Sequence, residues 1–198
     1  MGLVTESEAR ADLEYIFDDI RRSMIEGWSK WQGQDEDIKV DLSSSSRAIC
    51  VHDFTVKKAS QYLPEAVVHN LRKLKIFVID GKYVLRFKKF DTNLKSRNQP
   101  SKQVSNFKRQ RKLDGINGVC NIEAGYVLND TETEVESFNL LCPNGNRNYW
   151  DIDLTDFKAK GTVELVSPDG EVIDDSEDGL IFTPKRTGEV VPFNKNKK

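Results

Sequence analysis

The residues best suited to chemistry in this sequence lie in one basic segment, residues 82–112, whose only acidic residue is Asp91. Clustered lysines and arginines bind a phosphate backbone by releasing its counterions. Amide side chains such as those of Gln103, Asn106 and Gln110 can contact base or sugar edges. The segment therefore predicts a face that engages nucleic acid or an acidic protein surface. The side chains expected to make these contacts are Arg86, Lys88, Lys89, Arg97, Lys102, Lys108, Arg109 and Arg111.

The charge of the chain is strongly segregated, although the net charge is only −2 and the pI is about 5.8. Residues 1–56 hold 6 basic and 12 acidic side chains, residues 57–112 hold 16 and 3, and residues 113–198 hold 8 and 17. A basic block between two acidic ones favours a surface that binds polyanions. The alternative is that the acidic segments, or a partner protein, cover the basic block.

Several other chemistries are excluded by the residues that the chain lacks. It contains two histidines, His52 and His69, and three widely spaced cysteines, Cys50, Cys120 and Cys142. Cys-x-x-Cys and His-Glu-x-x-His motifs are missing, so we expect neither a zinc site nor a disulfide framework. Phosphate-binding glycine loops are also missing. We therefore predict no metal, no cofactor and no catalytic residues.

Two enzymatic alternatives remain open. Asp80 followed by Arg86-Phe87-Lys88 resembles the restriction-endonuclease layout of an Asp and then acid-x-Lys on the next strand. Arg86 stands where the second acid belongs, and this departure removes a metal ligand. A toxin such as a metal-independent RNase would instead use Arg97 with His52 or His69.

The N-terminal part of the sequence predicts a long amphipathic helix over about residues 6–32, well before the basic segment. Thr5 and Glu8 form a capping-box pattern at its start. Its apolar stripe between residues 9 and 31 recurs at spacings of three and four, which is typical of a helix face that packs on a core. The alternative is that the stripe forms a homodimer interface. Its members are Ala9, Leu13, Ile16, Phe17, Ile20, Met24, Trp28 and Trp31.

Residues 32–75 give weaker signals. Residues 32–46 are polar and include four consecutive serines, which favours a linker or an exposed loop. The alternation over residues 48–51 predicts a short strand, and Thr55 is expected to cap a helix that ends at Tyr62. Pro64 is expected to start a further helical stretch that reaches Leu74.

The remaining pattern alternates between strands and turns. Residues 76–79 and 83–87, separated by Asp80-Gly81, predict a β-hairpin, which is also compatible with a winged-helix arrangement. Ser101 is expected to cap a basic helix that ends near Leu113. Three further strands are predicted at residues 121–128, 135–142 and 148–154, with another hairpin around residues 162–173 and a flexible tail.

Two stretches carry a resemblance to a known group of proteins. They are residues 86–98, beginning Arg86-Phe87-Lys88-Lys89, and residues 124–150, which include Leu141-Cys142-Pro143-Asn144-Gly145 and Trp150. Over residues 76–154 the chain resembles uncharacterised bacterial proteins encoded beside genes that join a helix-turn-helix to a zinc-metallopeptidase domain, a toxin–antitoxin-like arrangement. The resemblance implies a bacterial, phage or plasmid origin and a protein partner from the same operon. It carries over no catalytic residue.

Together these patterns predict an α+β protein with a helical part (1–75), an α+β core (76–175) and an acidic loop with a basic tail (176–198). The expected function is a non-enzymatic interaction module of a regulatory or phage-defence locus. A further alternative is an antitoxin that masks a basic partner with its acidic C-terminal part. Neither a membrane span nor a signal peptide is apparent, so a cytoplasmic location is expected.

Overall fold

The computed structural model describes residues 3–71, 74–96, 101–113, 115–116 and 120–157. The chain divides into two units, residues 1–160 and 161–198, and the described residues all belong to the first. The strands predicted within residues 162–173, the acidic loop and the basic tail lie outside the described residues. Among the described helices, none is long and apolar enough to cross a membrane.

The N-terminal helix has the predicted extent, with one irregular turn inside it. Helix α1 (Glu6–Leu13) leads through a short 3-10 turn into α2 (Phe17–Gln32). The capping box is confirmed, because the Thr5 hydroxyl accepts from the Glu8 amide and the Glu8 carboxylate accepts from the Thr5 amide. Seven of the eight stripe residues are buried, and Trp28 is partly buried. The stripe is thus part of the core of one chain.

Two helices occupy most of residues 36–62, which corrects the predicted linker and the predicted strand at residues 48–51. Helix α3 spans Glu36–Asp41 and α4 spans Ser44–Tyr62. The serine run starts α4, because the Ser43 hydroxyl accepts from the Ser46 amide as an N-cap. Thr55 lies inside α4 and does not cap a helix. It is buried because the face of α4 that includes Val51 and Val56 packs against α2 and the sheet.

The helical stretch expected after Pro64 is also wrong, because the chain forms an edge strand there. Strand β1 (Val67–Leu71) pairs antiparallel with β2 (Leu74–Ile79). The β-branched pair Val67 and Val68 favours a strand once a neighbouring strand supplies backbone partners. The predicted helical part therefore already contains the first strand of the sheet, and the N-terminal helices share one core with that sheet.

The six strands form one sheet in the order β1-β2-β3-β4-β5-β6. The later strands are β3 (Tyr83–Lys89), β4 (Cys120–Leu128), β5 (Val135–Asn144) and β6 (Arg147–Asp153). The Asp80-Gly81 hairpin is confirmed, with Ile79 opposite Tyr83. The three strands predicted after residue 120 are also present. This architecture is of the α+β class.

Among the described strands, only β3 and β4 run parallel to each other as neighbours, so a crossover must connect them. That crossover carries the basic helix α5 (Lys102–Lys108). The N-terminal helices cover one face of the sheet, with Phe17, Ile20 and Met24 in the same core cluster as strand residues. On the opposite face, Phe107 packs with Ile76 and Val84. Helix α5 is therefore held on the face of the sheet that the N-terminal helices leave uncovered.

Candidate nucleic-acid interface

Helix α5 is anchored by one apolar residue and one cap. Phe107 is fully buried against the sheet, while the Ser101 hydroxyl accepts from the Val104 amide at 3.1 Å, as predicted for an N-cap. Around this anchor, four of the five cations of residues 101–113 are exposed, and Lys108 is partly exposed. The exposed ones are Lys102, Arg109, Arg111 and Lys112, hereafter the basic surface.

The helix ends at Lys108, five residues before the predicted end, and Gln110 explains why. Gln110 adopts a positive φ of 55° and turns its amide toward the sheet. Its Oε1 accepts from the Asn121 amide at 2.7 Å, and its Nε2 donates to the carbonyls of Asn121 and Pro143 at 2.8 and 2.6 Å. Gln110 was expected to face outward. Instead it fixes the end of α5 to strands β4 and β5.

Arg86 lies beneath α5 rather than on an exposed face, because alternation along β3 directs it to the same side as Val84. It is 1 % exposed and pairs with Glu123, which is 2 % exposed and directly opposite on β4. Arg86 Nε donates to Glu123 Oε1 at 2.8 Å, and Nη2 donates to the same oxygen. The guanidinium also stacks on the Phe107 ring, 3.9 Å from its centroid.

Glu123 is the charged residue of this site that the sequence analysis missed. The single acidic residue in a mostly apolar strand, between Ile122 and Ala124, was the available signal. Such a side chain in a buried strand requires a cationic partner, because an isolated buried charge is strongly disfavoured. The partner could not be identified without knowing that β3 and β4 are neighbours.

Two other cations of the basic segment are neutralised within the fold. Lys82 pairs with Asp12 of α1, and Lys89 Nζ lies 2.6 Å from Glu132 Oε1. Glu132 also contacts Arg47 of α4. For these positions, the acidic segments do fold against the basic one. The side chains of the basic surface form no ion pair or hydrogen bond with any described residue.

Lys88 occupies an intermediate position next to the Arg86–Glu123 pair. Burial lowers the pKa of its amine to about 8, and the nearby charges of Arg86 and Lys108 act in the same direction. Glu123 opposes this shift. Lys88 therefore belongs to a local excess of positive charge around one carboxylate.

A cleft of about 370 Å³ opens beside the end of α5. Hydrogen bonds between its walls define it: Lys108 Nζ donates to the Ser96 carbonyl at 2.8 Å, and the Gly145 amide donates to the Lys108 carbonyl at 2.7 Å. Asn148 Nδ2 donates to the Leu94 carbonyl at 3.0 Å. The loop after β3, the end of α5 and the β5–β6 turn thus surround one opening. Glu123 lies among its lining residues.

The residues of the RNase alternative do not come together in the described part of the chain. His52 lies on α4, on the side of the sheet that the N-terminal helices cover. His69 of β1 lines an opening with Val67 and Val78 on the other side. Arg97 is outside the described residues.

The cysteines are free thiols, and Cys120 and Cys142 lie on adjacent strands with their sulfurs 3.7 Å apart. Within the described ranges, no three His, Cys, Asp or Glu side chains converge as metal ligands.

Comparison with known proteins adds no relative: no family model matches the sequence, and neither a curated protein nor a solved structure shows significant similarity to it. The resemblance over residues 76–154 and the toxin–antitoxin-like setting therefore stay predictions.

Proposed function

We propose that this protein binds nucleic acid through the basic surface. The observation that supports this proposal is the composition and exposure of residues 101–113, which contain five cations and no acid. Four of the five are exposed and form no ion pair within the described part of the chain. A phosphate backbone provides the regularly spaced negative charge that such a cluster can contact.

Fold stability gives no reason to concentrate these charges. An exposed ion pair contributes about 0–1 kcal/mol, and the basic surface has no such pairs within the described ranges to offset the repulsion among its cations. The anchoring of α5 by Phe107 and Gln110 also keeps the orientation of the helix constant. A prepositioned surface loses less conformational entropy when it binds a ligand.

The proposal is tested by removing charge from the basic surface. We expect the triple variant Lys102→Gln, Arg109→Gln and Arg111→Gln to bind random-sequence DNA or RNA about tenfold or more weakly at low salt. The slope of log K against log salt should fall in magnitude by about two to three, since each lost phosphate contact removes about 0.7–0.9. Fluorescence anisotropy across a salt series measures both quantities.

The matched control removes the same charge from exposed cations of α1, α2 and α4, using Arg10→Gln, Lys30→Gln and Lys57→Gln. This control should keep the wild-type slope, because these residues lie on the helices that cover the opposite side of the sheet. If both triple variants lose the same affinity, only net charge matters and the proposed surface is wrong.

A further inference from the structure

Glu123 offers the cleft an acceptor that the fold does not use. Both hydrogen bonds from Arg86 end on Oε1, and Oε2 accepts none from any described residue. Glu123 is one of the residues that line the cleft, so Oε2 is the acceptor that it can offer to a ligand there. A nearly buried carboxylate oxygen without a partner favours a ligand that brings an N–H or O–H donor.

The rim of the same cleft carries mainly positive charge, in contrast to the carboxylate of Glu123. Lys95 and Arg147 are exposed at the rim and Lys108 is partly exposed, whereas Asp91 is the other carboxylate of the lining. The side chains of Lys95 and Arg147 make no ion pair with a described residue. Cations at the entrance suit a phosphate, while the carboxylate deeper inside suits a hydrogen-bond donor.

A nucleotide unit of a nucleic acid combines these two groups at a suitable size. The volume of about 370 Å³ is in the range of small-ligand sites. Lys108 belongs to both the cleft and α5, so a strand that crosses the basic surface passes the entrance. We infer that the cleft accepts one unstacked nucleotide of the bound strand, with its phosphate against Lys95 and Arg147 and a base amino group donating to Glu123.

This inference rests on the proposed function and adds two selectivities to it. A base within a duplex cannot enter the cleft without being unstacked, so single strands should bind more tightly than duplexes. A carboxylate accepts from the N4 amino group of cytosine, whereas thymine presents the O4 acceptor at that position and repels it. Oligo-dC is therefore preferred over oligo-dT.

The experiment measures the affinity of the full chain for oligo-dC, oligo-dT and a mixed-sequence duplex of equal length, at one low salt concentration above neutral pH. We expect oligo-dC to bind about fivefold to tenfold more tightly than oligo-dT. The double variant Lys95→Gln and Arg147→Gln should lose about fivefold in affinity for oligo-dC and almost none for the duplex. The exposed pair Lys30→Gln and Lys57→Gln is its control, with no change expected for any ligand.

The outcomes separate the two proposals. If all three ligands bind equally and the rim variant lowers none of them selectively, the cleft does not take a nucleotide, although the basic surface still binds nucleic acid. If none of the ligands binds at low salt, both proposals fail. The rim variant makes the test independent of Glu123, whose replacement affects folding.

Discussion

Replacing Glu123 with glutamine is expected to lower the free energy of unfolding by about 3–5 kcal/mol. The reason is that Arg86 would keep its positive charge in the interior after losing Glu123, its one ionic partner among the described residues. Small domains have a total stability of roughly 5–15 kcal/mol, so this loss is a large share of the whole. The effect should appear in chemical denaturation as a lower midpoint.

The environment of Arg86 makes the dependence on Glu123 strong. The Nη1 atom of Arg86 is already enclosed without a partner among the described residues, so the guanidinium has no spare interaction to replace the lost one. The Arg86 guanidinium also stacks on the Phe107 ring, so the Arg86–Glu123 pair supports the position of α5. Loss of Glu123 should therefore disturb the position of the basic helix as well as the sheet.

Two controls separate the buried charge from a general effect of substitution. Glu136 is exposed on β5, and Glu136→Gln should change the stability by less than about 0.5 kcal/mol. The double variant Arg86→Met and Glu123→Leu removes both charges and should recover most of the stability that Glu123→Gln loses. A Glu123→Gln protein as stable as the Glu136→Gln control would contradict the assignment.

Gly27→Ala is expected to destabilise the protein by about 3 kcal/mol. A Cβ atom at Gly27 would lie 2.8 Å from the Thr55 backbone nitrogen and 2.9 Å from its Cα, and it would also overlap the Thr55 hydroxyl. Because two of these contacts are to the backbone of α4, a side-chain rotation cannot relieve them. The helices α2 and α4 must move apart, which disrupts the core that both share with the sheet.

The matched control is Gly33→Ala at the end of the same helix. Gly33 has a negative φ of −78°, and the nearest atom to an added Cβ is 3.6 Å away, which is an ordinary contact. In a helix interior, alanine is about 1 kcal/mol more favourable than glycine, so helix propensity alone would make Gly27→Ala stabilising. Thermal unfolding of the two variants therefore reports the α2–α4 contact. Equal midpoints would mean that these helices are not in close contact.

The parts of the fold that could be predicted are those determined by local sequence. The capping box of α1, the stripe of α2 and the Asp80-Gly81 hairpin each depend on residues that are close in the chain. The errors between residues 36 and 71 arose where local signals were ambiguous. A serine run suits a linker or an N-cap, and Val67-Val68 suits a helix or a strand until β2 is adjacent.

The candidate site was predictable in composition but not in arrangement. Most cations of residues 101–113 are exposed, because Phe107 is the buried residue of α5 and directs that helix against the sheet. The different position of Arg86 follows from the parallel pairing of β3 with β4, which places Glu123 opposite it. Apart from the single acidic residue Glu123 in the mostly apolar strand β4, the local sequence gives no sign of this long-range pairing.

The most direct test of the central claim is the salt dependence of wild-type binding to random-sequence single-stranded and duplex nucleic acid. With four exposed cations in contact with phosphates, log K should fall linearly with log salt, with a slope of about −3 to −4. The protein should bind measurably at low salt and lose most of its affinity when the salt is raised. Failure to bind at low salt, or an affinity that does not change with salt, would contradict nucleic-acid binding through the basic surface.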